Sequence, residues 1–392
     1  MQRVKLKYLC KSFSTPLSQQ DISKDGKYKV FGASGCVGYM NEYSCDKEYL
    51  GIIKDGAGVG RIIKYPKQTS LLGTMAYIVP NANVNIGWLK YSIHSLELGK
   101  NNARTTIPHI YFSEYGNMFI DYCDIAEQQR IADFLDQKCA QLDEILQKTR
   151  DTIAEYKKLK QSVITQAVTK GVRGERPMKD SGIEWIGEIP EEWGIRRIKT
   201  LGTYRNGLTF TPEDLVDKCN GTLVLRSSNI QNGKLHLEDN VYVASKIPLQ
   251  MYVRKGDILI CSRNGSRNLI GKNAIIDSNL EAAFGAFMMI FRCDYPKYMY
   301  YILNSSLFVY YLDTFLTSTI NQLTGKNFGN MRIVYCNDIK EQHEIAQYLD
   351  EKCAEIDKLI EKKEQLVNEL ESYKKSLIYE YVTGKKEVIR NA

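Results

Sequence analysis

One long stretch occurs twice in this chain, and nothing else in the sequence constrains the fold as strongly. Asp124 to Thr169 aligns with Asp338 to Thr383 at a constant offset of 214 residues, without a gap. A register kept over that length marks an internal duplication. Each copy opens with an acidic residue where a helix should start, Asp124 and Asp338, followed three residues later by Glu127 and Glu341. That spacing predicts a capping box, which satisfies the free amides of a first helical turn. Apolar residues then recur at alternating four and three. The first copy gives Ile131, Leu135, Leu142, Leu146, Ile153, Tyr156 and Val163. The second gives Ile345, Leu349, Ile356, Ile360, Val367, Leu370 and Leu377. A mean spacing near 3.5 is the seam of a coiled coil. Each helix is expected to run roughly 40 residues, about 60 Å, and to end at Gly171 and Gly384. Polar residues Thr149 and Lys363 interrupt the seam, and Lys160 matches Lys374 across the repeat. Polar seam positions cost stability and fix register, so the two helices are expected to pack on each other.

The rest of the chain is strand-rich. Short apolar runs such as YKVFGASGCVGYM and EYLGIIKDGAGVGRIIKY precede the first helix, broken by glycine. GAGVG is not followed by a helical pattern, because Arg61-Ile62-Ile63 reads as strand, so a hairpin is expected there rather than a dinucleotide loop. After the first helix, KGVRGERPMKDSGIEWIGEIPEEWGIRRIKTLG reads as a connector opening a second domain, with Trp185 and Trp193 pinning it. That domain is again strand-rich, with a helical patch at KYMYYILNSSLFVYYLDTFL. The duplication reaches beyond the helices. Gly116-Asn117-Met118 matches Gly329-Asn330-Met331 at an offset of 213. The expected division is therefore 1–122, a strand-rich domain; 123–170, a long helix; 171–337, a second strand-rich domain; and 338–392, a second long helix. The class is α+β, with a pseudo-twofold internal repeat. The two helices match while the early parts of the two domains diverge, so a shared frame presents different surfaces.

Composition narrows the function. The net charge of +7 permits a nucleic-acid partner without demanding one. The ten cysteines form no CxxC pair and histidines number four, which argues against structural zinc and suits reduced thiols in a cytoplasm. Cys139 and Cys353 match across the repeat and read as small core residues. The opening Met1-Gln2-Arg3-Val4 reads as strand rather than signal peptide, and no apolar run has membrane-spanning length. Catalytic constellations are missing: no GxxxxGK[ST], no HExxH, no GxSxG, and no [DNS]PP[YFW] of amino-methyltransferases. Base-reading side chains are better represented. SRNGSRNLIGKN gathers Arg263, Asn264, Ser266, Arg267 and Lys272, and VLRSSNIQNGK adds Arg226 and Asn229. The first domain offers Lys54, Arg61, Lys100, Asn101 and Arg104. Arginine can bind guanine bidentately and asparagine adenine, while serine and lysine hold phosphates.

This pattern resembles the specificity subunit of type I restriction–modification systems. The resemblance rests on the EQ-x-x-IA-x-x-LD-x-K runs, Glu127 to Lys138 and Glu341 to Lys352. PMKDSGIEWIGEIPEEW, KDGAGVG, LRSSNI and GDILI are similar to that family too. One departure is that no Trp-containing lead of the IPEEW kind precedes the first domain. The resemblance implies that each strand-rich domain is a target recognition domain reading one half of a split, asymmetric double-stranded DNA sequence. It implies an antiparallel coiled coil that sets their spacing. It implies methylation subunits, two per chain, that bring S-adenosylmethionine, and restriction subunits that use ATP and Mg2+. This chain itself would hold no cofactor or metal and catalyse nothing. Two rivals remain on the sequence alone: an unfamiliar DNA-modifying enzyme, and a coiled-coil scaffold that binds only protein.

Overall fold

The computed structural model describes residues 1–56, 58–99, 109–244, 246–316 and 321–388. They fall into two compact units, Met1–Asp151 with Lys363–Ala392, and Thr152–Lys362. Each is α+β.

In the first unit the strands are β1 (Gln2–Lys5), β2 (Cys10–Phe13), β3 (Tyr28–Gly32), β4 (Gly35–Met40), β5 (Tyr49–Ile53), β6 (Ile62–Tyr65), β7 (Ser70–Leu71) and β8 (Met75–Pro80). Helices α1 (Ile86–His94) and α2 (Phe112–Tyr115), strand β9 (Phe119–Tyr122) and the long α3 (Ile125–Lys170) follow. The central sheet is antiparallel in the order β2-β8-β5-β6. Its middle strand, YLGII, is buried along its whole length, as an apolar run covered on both faces must be. A smaller sheet, β4-β3-β7, contains a parallel β3–β7 pair. β1 and β9 pair antiparallel.

The second unit repeats this topology with different residues. A two-stranded pair, β10 (Met178–Asp180) and β11 (Glu188–Pro190), occupies the connector. Then come β12 (Gly194–Arg197), β13 (Gly202–Asn206), β14 (Leu215–Val216), β15 (Thr222–Leu225), β16 (Ile230–Gln231), β17 (Lys234–Leu235), β18 (Tyr242–Val243), β19 (Ile258–Cys261), β20 (Asn273–Ile275), β21 (Ala282–Phe284) and β22 (Met288–Cys293). The helical patch is split into α4 (Pro296–Ile302) and α5 (Ser306–Phe315); α6 (Gly325–Asn330), β23 (Arg332–Tyr335) and α7 (Ile339–Val382) close the order. The central sheet runs β13-β22-β19-β20, strand for strand the counterpart of β2-β8-β5-β6. The β12–β23 pair answers β1–β9, and the parallel β15–β21 pair answers β3–β7.

The helices α3 and α7 hold 46 and 44 residues, longer than the seam alone predicts. In the first unit Ile131, Leu135, Cys139 and Leu142 of α3 and Leu377, Ile378 and Val382 of α7 share one core with Leu50, Ile52, Ile78 and Trp88. In the second unit Ile164 and Val168 of α3 and Ile345, Leu349 and Cys353 of α7 share a core with Ile258, Phe291 and Tyr298. Within the first unit Lys374 binds Asp143, and within the second Lys160 binds Asp357. A late residue of one helix meets an early residue of the other in both, so the helices run antiparallel. Thr149 is buried in the seam, and its hydroxyl donates to Ile145 O at 2.8 Å. Each helix contributes one half to each unit, so the divisions fall at 151/152 and 362/363 rather than at helix ends.

The N-terminal caps depart from the expected box. Asp124 accepts from Glu127 N at 2.8 Å and Asp338 from Lys340 N at 2.9 Å, but neither glutamate reaches back to its cap residue. Glu127 pairs with Arg130 instead. Glu341 is buried and accepts from Trp193 Nε1 at 3.1 Å, with Arg176 Nη1 2.6 Å from its other oxygen. Arg176 also lies over the Trp193 ring. The connector supplies a half-buried cation, and the glutamate answers that charge rather than its own helix end. Trp185 stacks on Tyr310 at 4.2 Å, so both tryptophans anchor the connector.

Candidate nucleic-acid interface

Equivalent carboxylates seat each globular part on its long helix. In the first unit Asp136 accepts from Tyr91 Oη at 2.6 Å and Lys90 Nζ at 2.9 Å. In the second, Asp350, 214 residues on, accepts from Tyr301 Oη at 2.7 Å and also pairs with Lys297. Burial raises the Asp136 pKa, but the Tyr91 and Lys90 hydrogen bonds outweigh it and leave the carboxyl below its ordinary value. The tyrosines move up, first through burial and then through the carboxylate they bind. The helix so held, α1 or α4, packs against the edge strand of its own central sheet, β6 or β20.

At that edge a hairpin opens from each central strand. In the first unit Gly60 N donates to Ile53 O at 2.9 Å and Ile53 N to Arg61 O at 3.0 Å. In the second, Gly271 N donates to Cys261 O at 2.8 Å and Cys261 N to Lys272 O at 2.9 Å. Gly60 and Gly271 both sit at φ +84°, and a Cβ on either would strike a neighbour, Gly99 N at 2.7 Å or Leu312 Cδ1 at 2.3 Å. Only glycine closes these loops without strain. Arg61 and Lys272 are therefore equivalents, and both are anchors. Arg61 donates to Ala33 O in the turn between β3 and β4, and Lys272 Nζ to Ile230 O of β16, the latter at 3.1 Å. Burial pushes up the Cys261 thiol beneath the loop, keeping it neutral.

The second-unit loop gathers a polar, partly aromatic surface. Asn264 Nδ2 donates to Ser227 Oγ at 3.1 Å, and its Oδ1 accepts from Ser266 N at 2.9 Å. Asn321 Nδ2 donates to Gly265 O at 3.2 Å. Arg263 is exposed; its guanidinium lies 5.1 Å from the centre of the Phe287 ring, itself 56% exposed. Among the described residues no carboxylate pairs with Arg263. Arg226 and Arg267 rim the surface, paired with Asp239 at 2.9 Å and Asp313 at 3.0 Å. Exposed pairs of this kind are worth about 0–1 kcal/mol, so a phosphate can replace the carboxylate at little cost.

The sequence-predicted residues thus divide. Arg263, Asn264, Ser266, Arg267 and Arg226 come together in the second unit. Asn229 does not face outward: it is buried, accepts from Arg226 N at 2.9 Å and donates to His236 O at 3.0 Å, shaping the loop. In the first unit Lys54 and Arg61 flank the hairpin, while Lys100, Asn101 and Arg104 lie outside the described residues. Sequence reasoning passed over Phe287, Asn321, Gln322, Asp55 and His109. The signal was present in the offset: His109 precedes Gln322 by 213, the same offset as Gly116 and Gly329.

A sequence family matches this arrangement. The model of the type I restriction modification DNA specificity domain covers residues 1–155 and 190–372. The chain belongs to that family. It is 27% identical over 206 residues to the type I restriction enzyme EcoKI specificity subunit of Escherichia coli (strain K12), covering 51% of this chain and 44% of that subunit. It is 26% identical over 347 residues to the MjaVIII specificity subunit of Methanocaldococcus jannaschii, covering 85% of this chain and 78% of that one. The match thus spans under half of the EcoKI subunit. A solved chain from work on complex assembly and conformational transition of the type I R-M system aligns with TM-score 0.67 at 16% identity, over 98% of both chains. That likeness establishes the fold. No helix among the described residues is long and apolar enough to cross a membrane, and no group of metal ligands occurs among them.

Proposed function

We propose that this chain is the non-catalytic, sequence-reading subunit of a type I restriction–modification complex. Each strand-rich domain reads one half of a split DNA target, and α3 and α7 set the gap and receive the methylation subunits. The observation that carries the reading is the hairpin built twice by the same backbone bonds and dressed with different side chains. One frame with two surfaces yields two half-sites that differ. The second-unit surface offers an exposed arginine, amides and a hydroxyl, groups able to bind base edges, with salt-paired arginines at its rim for phosphates. On the helices, Ile145 matches Leu359 and Leu159 matches Tyr373 at the repeat offset, and all four are exposed. Apolar positions repeated in this way support two docking events by one kind of partner. S-adenosylmethionine, ATP and Mg2+ would enter with the methylation and restriction subunits.

The test is methylome sequencing of a host expressing this chain with its methylation subunit. The expected result is one bipartite, non-palindromic motif that disappears when this chain is omitted. Methylation by the methylation subunit alone at the same motif, or methyl transfer by this chain alone, would end the proposal.

A further inference from the structure

Beyond the hairpin, both units repeat a second set of backbone bonds, and these set two side chains at the same station. In the first unit Lys54 N donates to Thr74 O at 3.1 Å, and Ile110 N donates to Lys54 O at 3.0 Å. In the second, Ser262 N donates to Phe287 O at 2.9 Å, and Leu323 N donates to Ser262 O at 2.7 Å. The next residue of each strand then bridges the segment ahead of the short helix: Asp55 to His109 and Arg263 to Gln322. The frame is one; the side chains are opposite in character. The Asp55 carboxylate and the His109 Nδ1 are in direct contact, with side chains 29% and 30% exposed. Arg263 is exposed and Gln322 half-buried. Beside them stand the exposed Thr74 in one unit and Phe287 in the other.

We infer that Asp55 with His109, and Arg263 with Gln322, are the specificity-determining pairs of the two domains. This rests on the DNA-reading function proposed above. A fold that needed these positions only for stability would have no reason to place an acid–imidazole pair at one and a guanidinium–amide pair at the other. The chemistry assigns base classes. Arg263 fits guanine O6 and N7, and Gln322 fits adenine N6 and N7. Asp55 accepts from cytosine N4. Thr74 and Phe287 each present an apolar surface suited to a thymine methyl.

The experiment uses the complete complex of this chain with its methylation subunits. It compares methylation rates on duplexes carrying each base at each position of the wild-type motif. Arg263→Ala and Arg263→Lys should both relax one position of one half-site by roughly tenfold to a hundredfold, because lysine keeps the charge but not the bidentate fork. Gln322→Ala should relax an adjacent position of that half. Asp55→Asn should relax the other half and leave the first intact. These side chains do not make the backbone bonds that hold the frame, and Arg263→Lys keeps size and charge, so the folded complex stays testable. Uniform slowing on every duplex, with Arg263→Lys behaving as wild type, would make Arg263 a phosphate contact and overturn the inference. An unchanged motif in all variants would overturn it as well. A wild-type complex with no sequence preference would instead remove the DNA-reading function itself.

Discussion

Lys160 holds both carboxylate oxygens of Asp357 at 2.7 Å. Exchanging the two long helices turns this pair into Lys374 with Asp143, whose oxygens lie at 2.6 and 2.7 Å. One contact is therefore made twice, once in each unit. Both lysines occupy seam positions that apolar residues fill elsewhere. A cation there costs packing but admits only the register that brings an acid alongside.

Replacing both lysines should expose that trade. The double variant Lys160→Met/Lys374→Met should raise the denaturation midpoint, since methionine fills the seam without a charge to satisfy. It should also broaden the distance distribution between spin labels on α3 and α7. A narrower or unchanged distribution would show that the apolar seam alone fixes register.

Glu341 offers a sharper comparison. Its side chain is 4% exposed and faces Arg176, 12% exposed, and Trp193. Removing one member of a buried pair strands the other charge, so Glu341→Ala should cost about 3 kcal/mol in urea unfolding. Glu127, its match in the repeat, pairs with the more exposed Arg130. Glu127→Ala should cost about 1 kcal/mol or less. Equal costs would mean that the connector contributes nothing to the second unit's stability.

These residues also show what the sequence could convey. Constant register over Asp124–Thr169 and Asp338–Thr383 made the helices legible, because a seam is a local pattern that burial enforces: Ile131, Leu135, Ile345 and Leu349 are all buried. Glu341 was legible only as a helix cap, since its cation arrives from Arg176, far away in sequence. The paired stations at Asp55 and Arg263 were hidden because the two hairpins differ in length. Lys54 to Arg61 closes in fewer residues than Ser262 to Lys272, which breaks the offset just where the surface begins. Asn229 read as a base reader because exposed and buried asparagines look alike in sequence. Its backbone partners decide the matter.

Alkaline pH should weaken the fold. Burial pushes the Cys10 and Cys293 thiols up to about 12, from an ordinary value of 9.0. Above pH 9 the unfolded chain ionises these thiols while the folded chain keeps them protonated. The unfolded state then binds fewer protons, so stability falls as pH rises, over the window from about 9 to about 12. Each such group steepens the decline by at most about 1.4 kcal/mol per pH unit. Urea midpoints from pH 8 to 10.5 should drop, and Cys10→Ala should drop less steeply than wild type. A flat profile for both would place these thiols in contact with water.

The last prediction concerns the gap between the two half-sites of the proposed target. The two lysine–aspartate pairs bracket the stretch where Asp151-Thr152 of α3 and Gln365-Leu366 of α7 hold the same place in the repeat, 214 residues apart. Four residues inserted after Asp151 alone would add about 6 Å to one helix and put its seam out of phase with its partner. Four more after Gln365 would lengthen the partner equally and restore facing layers on both sides of the insertion. If the helices set the spacing, the paired variant keeps both half-sites but reads them across a longer gap. At 3.4 Å per base pair the added rise corresponds to one or two base pairs. Half-sites must still present their grooves to the two domains, and a turn of DNA takes about 10–10.5 base pairs, so a shift of that size changes the phase only modestly. The single insertion should reduce methylation without giving a new defined gap. The measurement is the methylated motif of each variant in complex with the methylation subunit. A folded, active paired variant that kept the original gap would show that the helices do not measure the distance, and the spacing would then have to be set by the methylation subunits.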